Sequence, residues 1–228
     1  DSITANEILD RSVNAVHGGF FGDATTSATV QGNIGQAFSF DGVDDEISMG
    51  DTLAYRFDTG NFSVSAWVKY TDTTEQAIVS YRDSCGLQDF WSLAKSNGGN
   101  IRFEVSGDGG GSNYARADGT VTTYDNNWHH IVGVRDANQV KIYEDGVLRD
   151  TASSAGTANL NQTRPFKIGN GACGNFNGDI DDVRMYDKAL GTSSVQRLYE
   201  LGATTRINET ITTNPDLERG LVGHWTFD

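Results

Sequence analysis

Apolar residues recur at every second position through a long succession of short segments, and helical spacing is nearly absent. In IRFEVS, Ile101, Phe103 and Val105 fall on one side and Arg102, Glu104 and Ser106 on the other, the two-residue period of a half-buried antiparallel strand. The same reading predicts strands over 37–40, 45–49, 61–70, 76–82, 90–95, 101–106, 113–117, 128–135, 139–144, 147–150, 165–169 and 178–186. Glu144-Asp145-Gly146, between VKIY and VLRD, is a tight hairpin turn. One segment breaks the pattern. TSSVQRLYEL (192–201) has a Ser/Thr start, Val195, Leu198, Tyr199 and Leu201 at helical spacing, and Gly202 as its stop. Beyond it, 203–220 is polar and reads as a linker, and GLVGHWTFD supplies a last apolar-aromatic strand over 221–227. The expected class is all-β, two antiparallel sheets with one short helix near the C-terminus.

Composition narrows the function. A chain of 228 residues builds one good core, and 27 Gly with 2 Pro suit many tight turns. No apolar run approaches the ~20 residues of a membrane span. The net charge of −14 repels nucleic acid and anionic membranes, since phosphate recognition needs clustered Lys and Arg. Excess Asp fits a calcium-rich extracellular setting, and fits equally a soluble acidic surface. The chain starts at Asp1 without a signal peptide and reads as an excised segment. Its two cysteines, Cys85 in YRDSCGLQDF and Cys173 in GNGACGNFNGD, sit in Gly/Asp-rich loops after strands. They read as a disulfide joining neighbouring loops at one end of the sandwich, of a secreted or cell-surface protein. The alternatives are a metal pair, for which neither thiol has a nearby His, and a reduced pair in a reducing compartment.

Four phrases stand in a fixed order: FSFDGVDDEI (38–47), FSVSAWVKY (62–70), NNWHHIVGVRD with VKIYEDGVL (126–148), and GDIDDVRMYDKAL (178–190). Together they resemble the bacterial laminin-G-like, concanavalin-A-like jelly-roll family, over roughly residues 10–202. The resemblance implies a jelly-roll sandwich over 1–202 and a non-catalytic module that binds carbohydrate or other extracellular ligands. It also explains the tail. In that family a phrase like the one at 221–228 opens the domain, and DSITANEILDRSVNAVHGG looks like the stretch that comes directly after such an opening strand. Joining Asp228 to Asp1 would restore the usual order, as in a tandem array cut one strand out of register or a circular permutant. Residues 221–227 are therefore expected to fill the first-strand slot of their own sheet or of a neighbouring repeat.

The candidate chemistry is set by these readings. Retaining glucanases of the resembled architecture carry paired carboxylates in a Glu-x-Asp-x-Glu run, and no such run occurs here, so catalysis is not expected. GDGGGS (107–112) lacks the Lys and following helix of a phosphate loop and reads as a hairpin loop. His129 and His130 are adjacent on a strand, so their rings point to opposite faces. The acidic-Gly turns FDGVDD and GDIDD and the terminal FD suit the oxygen ligands of calcium, and are ordinary hairpin turns without it. The resemblance implies a structural Ca2+ held by Asp41, Gly42, Asp181 and Asp228.

A glycan groove combines aromatic platforms with planar hydrogen-bonders. Candidates are Arg82, Asp83, Trp91, Asn113, Tyr114, Arg116 and Phe176 on loops, with Arg102 and Glu104 from a strand face. Trp91 is equally readable as core with Leu93, and each Arg as solvated surface. Trp67 and Trp128 hold family positions that pack the core. The expectation is a lectin-like module binding a glycan or polysaccharide, as a repeat of a surface adhesin or an appendage of a polysaccharide-degrading enzyme. The alternative is a calcium-stabilised structural or assembly repeat.

Overall fold

The computed structural model describes residues 7–22, 28–107, 113–120, 122–153, 158–204 and 215–228. Its strands are β1 (Glu7–Ile8), β2 (Gly18–Phe21), β3 (Thr29–Gln31), β4 (Gln36–Asp41), β5 (Glu46–Asp51), β6 (Phe62–Lys69), β7 (Gln76–Tyr81) and β8 (Phe90–Lys95). They continue with β9 (Ile101–Ser106), β10 (Tyr114–Asp118), β11 (His129–Asp136), β12 (Gln139–Glu144), β13 (Val147–Ser153), β14 (Pro165–Ile168), β15 (Asn177–Tyr186) and β16 (Leu221–Trp225). Helix α1 spans Thr192–Thr204 and α2 spans Pro215–Glu218. The strands read from alternation are present, with ends displaced by a few residues. The short β1, β2 and β3, and α2, were not foreseen, because two to four residues are too few to show a period. Of the predicted loop 107–112, residues 108–112 lie outside the described residues.

Two antiparallel sheets face each other as a jelly-roll sandwich. The first runs β1-β2-β5-β14-β7-β8-β9-β10, and the second β13-β12-β11-β6-β15-β4-β3. The inner faces interdigitate in one core that includes Phe38, Ile47, Val64, Trp91, Phe103, Phe166 and Ile180, all fully buried. A smaller cluster forms outside the second sheet. There Val132, Val134, Tyr143 and Tyr186 meet Val195 and Leu198 of α1 and Leu217 of α2. Thus the amphipathic stripe of α1 covers the outer side of β6, β11 and β15, and Tyr199 lies over Trp67 at 5.7 Å between ring centroids.

The last strand lies end to end with β4 along the same side of β15. Residues 177–180 of β15 pair with β4, and residues 183–186 pair with β16. Trp225, fully buried, packs against the touching rings of Tyr55 and Phe166, and its indole N–H donates to the Val16 carbonyl at 3.3 Å. The N-terminal segment borders the same strand: Arg11 N–H donates to the His224 carbonyl, and His224 N–H to Asp10 Oδ1.

Cys85 and Cys173 are bonded. Their loops do not share one end of the sandwich, as the sequence reading had it. β7 and β14 are antiparallel neighbours, so the loops after Tyr81 and after Ile168 leave in opposite directions. They fold back across the outer face of the first sheet and meet there. Ser80 Oγ donates to the Asn170 carbonyl on one loop, and Arg82 donates to the Ser84 and Gly86 carbonyls on the other. The disulfide closes this strap over the middle of the face.

Candidate functional site

The outer face of the first sheet carries most of the predicted ligand residues. Alternation puts Phe90 and Ser92 of β8, Arg102, Glu104 and Ser106 of β9, and Tyr114, Arg116 and Asp118 of β10 on that side, since Trp91, Leu93, Phe103, Val105, Ala115 and Ala117 point into the core. The row Ser80, Ser92, Glu104, Arg116 runs straight across four strands.

Beneath the strap this face is a buried ion network. Glu104 Oε1 lies 3.2 Å from Arg82 Nη1 and 3.6 Å from Arg102 Nη2, and Tyr114 Oη donates to Oε2 at 2.9 Å. Arg102 is also paired with Glu75. Arg82 stacks over Phe90 at 3.8 Å, and burial pulls its guanidinium below its ordinary value. Burial, and then the Glu104 charge, push the Tyr114 hydroxyl well above the usual phenol range. Arg82, Arg102 and Glu104 are each nearly inaccessible. Arg82 and Glu104 make their bonds inside the protein, and Arg102 does so through Nη2 while its Nε stays buried without a partner; buried in this way, the three hold the strap and the face in place.

Other candidates scatter. Trp91 and Phe176 are fully buried and belong to the core, not to a groove. Trp91 faces inward because it pairs with Val105, and Phe176 because its loop turns back on Gly169 and sets the ring edge-on to Phe40. Asp83 is paired with Arg164 at the strap's outer edge. Arg116 pairs with Asp118, a contact that raises its ordinary value, and with Tyr114 and Asn113 it lies on the β10 side of the strap.

On the other side of the strap lies an open stretch of the same face, formed by β2, β5 and β14. Phe21, 54 % exposed, points outward there because Phe20 stacks inward on Phe38. Glu46 is opposite Phe21 across the ladder, Ser48 is opposite Gly19, and Lys167 next to Ser48 reaches Glu46 at 2.7 Å. These residues were missed in the sequence. The available signal was GGFF, in which one of two consecutive Phe must face outward in a strand.

The proposed metal ligands separate into two places. Asp181 and Asp228 bracket the turn 32–36. Asp181 Oδ2 accepts from Ile34 N–H at 2.8 Å, Asp228 Oδ1 accepts from Gln36 N–H at 2.8 Å, and a Cβ on Gly32 would stand 2.6 Å from Asp181 Oδ2. Asp181 is fully buried, and its Oδ1 has no hydrogen-bond partner. Burial first, then the Asp182 and Asp228 charges, push its carboxyl up to about 8. A buried orphaned carboxylate oxygen beside a second carboxylate and a glycine-lined turn suits a hard cation with oxygen ligands. Asp41 and Gly42 stand at the far end of β4, about 17 Å along the strand from Gln36. There Asp41 groups with Asp44 and Asp45.

Neighbouring Asp182 shows the opposite balance. Burial alone raises it, but Arg184 at 2.9 Å and His224 at 2.8 Å outweigh that and hold it well below the usual carboxylate range. On the second sheet, His129 bridges Asp145 (2.8 Å) and Asp125 (3.2 Å), whereas His130 is buried beneath α1 and pulled down to about 4 by burial. Their rings take different surroundings, as alternation requires. No helix of the described residues is long and apolar enough to cross a membrane.

Comparisons with known proteins agree with this architecture. An adhesion G-protein coupled receptor V1 from Danio rerio is 26% identical over 168 residues, 71% of this chain. The chain spans only 3% of that relative's length. Among solved structures, domain 4 of AbnA, a GH43 extracellular arabinanase from Geobacillus stearothermophilus in complex with arabinotriose, matches with TM-score 0.62 and 24% identity over 78% of this chain and 82% of that one. The botulinum neurotoxin serotype G binding domain matches with TM-score 0.66 and 16% identity, over 90% of this chain and 50% of that one. At such identities these structures establish the fold. The family model Laminin_G_3, described as the concanavalin A-like lectin/glucanases superfamily, matches residues 41–196, and the chain belongs to that family.

Proposed function

We propose that the chain is an extracellular, non-catalytic carbohydrate-binding module, carried by a surface adhesin or a polysaccharide-degrading enzyme. The observation that carries this reading is the part of the first sheet's outer face left open beside the disulfide strap, where strand-borne Phe21, Glu46, Ser48 and Lys167 stand together partly exposed. Such a face suits sugar hydroxyls, since its side chains need little ordering on binding. The neighbours add weight, one being described in complex with arabinotriose and another, a toxin binding domain, in complex with SialylT. The disulfide favours an oxidising compartment. Glu104, already accepting hydrogen bonds from Arg82 and Tyr114 and ion-paired with Arg102, is poorly suited to act as a nucleophile or proton donor.

Within this reading a structural Ca2+ would be held by Asp181 and Asp228 at the turn 32–36, fixing the C-terminal strand to the β3–β4 turn. The orphaned Asp181 Oδ1 also favours a second reading, a calcium-stiffened repeat that binds no glycan. An array of neutral and anionic polysaccharides, run with calcium and with chelator alongside melting curves, separates them. Calcium-supported binding to a defined glycan is expected. Silence across the array, with calcium still raising Tm, would leave the structural repeat.

A further inference from the structure

We infer that, given the glycan reading above, the ligand seats on the open half of the face: a neutral sugar unit stacks on Phe21 and is hydrogen-bonded by Lys167, Glu46 and Ser48.

The strap decides which half is available. It buries Ser80, Ser92, Arg82, Arg102 and Glu104, so the centre of the face is closed. Lys167, Ser48 and Gly19 continue the row beyond Ser80 without that cover, each partly exposed. Asn170 at Ser80 and Asn175, which donates to the Val43 carbonyl, bring the 169–176 loop along the border of this stretch.

Phe21 is built as a platform. A Cβ on Gly19 would lie 3.5 Å from the Phe21 ring, so the ring leans over the bare glycine two residues back on the same face. An alanine Cβ there would sit in ordinary contact with the ring, and a side chain longer than alanine would compete with the ring for that space. With 54 % of the residue exposed, an apolar sugar face can lie on the ring and remove both surfaces from water.

The polar partners define the ligand's charge. The Lys167 ammonium and the Glu46 carboxylate, 2.7 Å apart, compensate each other while both remain partly accessible. Together they offer donors and acceptors side by side: one hydroxyl accepts from Nζ, and its neighbour donates to a carboxylate oxygen. A carboxylated or sulfated sugar would set its own anion against Glu46, on a chain of net charge −14. A neutral glycan with adjacent hydroxyls fits.

The test measures binding of the full chain by calorimetry to arabinan, mixed-linkage β-glucan and galactomannan, with alginate and heparin as anionic probes. Wild type, Phe21→Ala, Lys167→Met, Arg116→Ala and the remote Val147→Ser are compared. Phe21 supports no core contact that its loss would collapse, so Phe21→Ala should keep the wild-type Tm while weakening binding to a neutral polymer about 10-fold or more. Lys167→Met should weaken it too, and Val147→Ser should not. Unchanged binding by Phe21→Ala, with loss in Arg116→Ala, would put the ligand on the β10 side and overturn the inference. Preference for the anionic polymers would overturn the assigned class. If wild type binds none of the probes, the glycan reading itself falls before any variant is compared.

Discussion

Removing the Cys85–Cys173 bond should cost the protein several kcal/mol without dismantling the strap. The bond closes an 88-residue separation. In the chain-entropy picture, a closed loop of that size removes about 15 cal/mol/K from the unfolded ensemble, or about 4.6 kcal/mol at 25 °C. Spread over an unfolding entropy of about 2.1 cal/mol/K per residue for 228 residues, this lowers Tm by about 10 °C. The folded side of the balance should change little. The strap keeps the Arg82 bonds to Ser84 and Gly86, the Ser80 bond to Asn170 and the Ala77 N–H bond to the Gly174 carbonyl. The perturbation is the Cys85→Ser/Cys173→Ser pair, read by urea unfolding and calorimetry against the oxidised wild type. The urea midpoint should fall and the m-value should rise, because the unfolded chain expands once the cross-link is gone. A loss below about 1 kcal/mol with an unchanged m-value would refute the reasoning, since the bond would then not be constraining the unfolded chain.

Two further outcomes are expected. Trp225→Ala removes a fully buried indole from its contacts with Tyr55 and Phe166 and should cost about 3–5 kcal/mol in urea unfolding; a loss under about 1 kcal/mol would mean that β16 is not seated in the core as described. The hydrogen bond from His129 to Asp145 raises the histidine above its ordinary value, so its contribution is fully present below about pH 6.5 and is lost as pH rises through the higher folded value. The stability gap between wild type and His129→Gln should therefore narrow on going to alkaline pH. Using the difference cancels His130, whose lowered value acts in the opposite sense below about pH 6.5, and a pH-independent gap would show that the bridge carries no charge.

The sandwich was legible because most strands bury one face, and burial of one face writes itself as alternation. β9 is the clearest case: Ile101, Phe103 and Val105 do point inward. Where both faces are covered, the signal fails. Trp91 illustrates the limit, since its own strand leaves its direction open and only the pairing with Val105 fixes it. Lys95 is a sharper case. It sits on the core side of β8, fully buried, donating to the Asp72 carbonyl at 2.8 Å beside the Tyr70 and Phe176 rings, and burial pulls it down to about 8. No local pattern announces a lysine in a core; it is there because its amine reaches the strand end where Asp72 waits.

The site was legible by residue type and not by location, because what covers a sheet face comes from elsewhere in the chain. Arg102 and Glu104 face outward as their alternation says, yet loops closed by a bond between residues 85 and 173 take them out of water. The same cover changes what the net charge means. A chain at −14 looks repulsive to anions everywhere, but on this face cations and anions are matched pair by pair: Arg82 with Glu104, Arg102 with Glu75, Arg116 with Asp118, Lys167 with Glu46. Beside Phe21 the Lys167–Glu46 pair is compensated, and exposed Glu7, opposite Gly19, adds a further carboxylate that disfavours anions, so selection at the inferred site would rest on hydroxyl geometry and an apolar ring face. Long-range steering, which the excess Asp elsewhere would supply, has little to act on in a neutral sugar. A binding constant at Phe21 should accordingly respond weakly to ionic strength, whereas contact through an unpaired arginine would be screened.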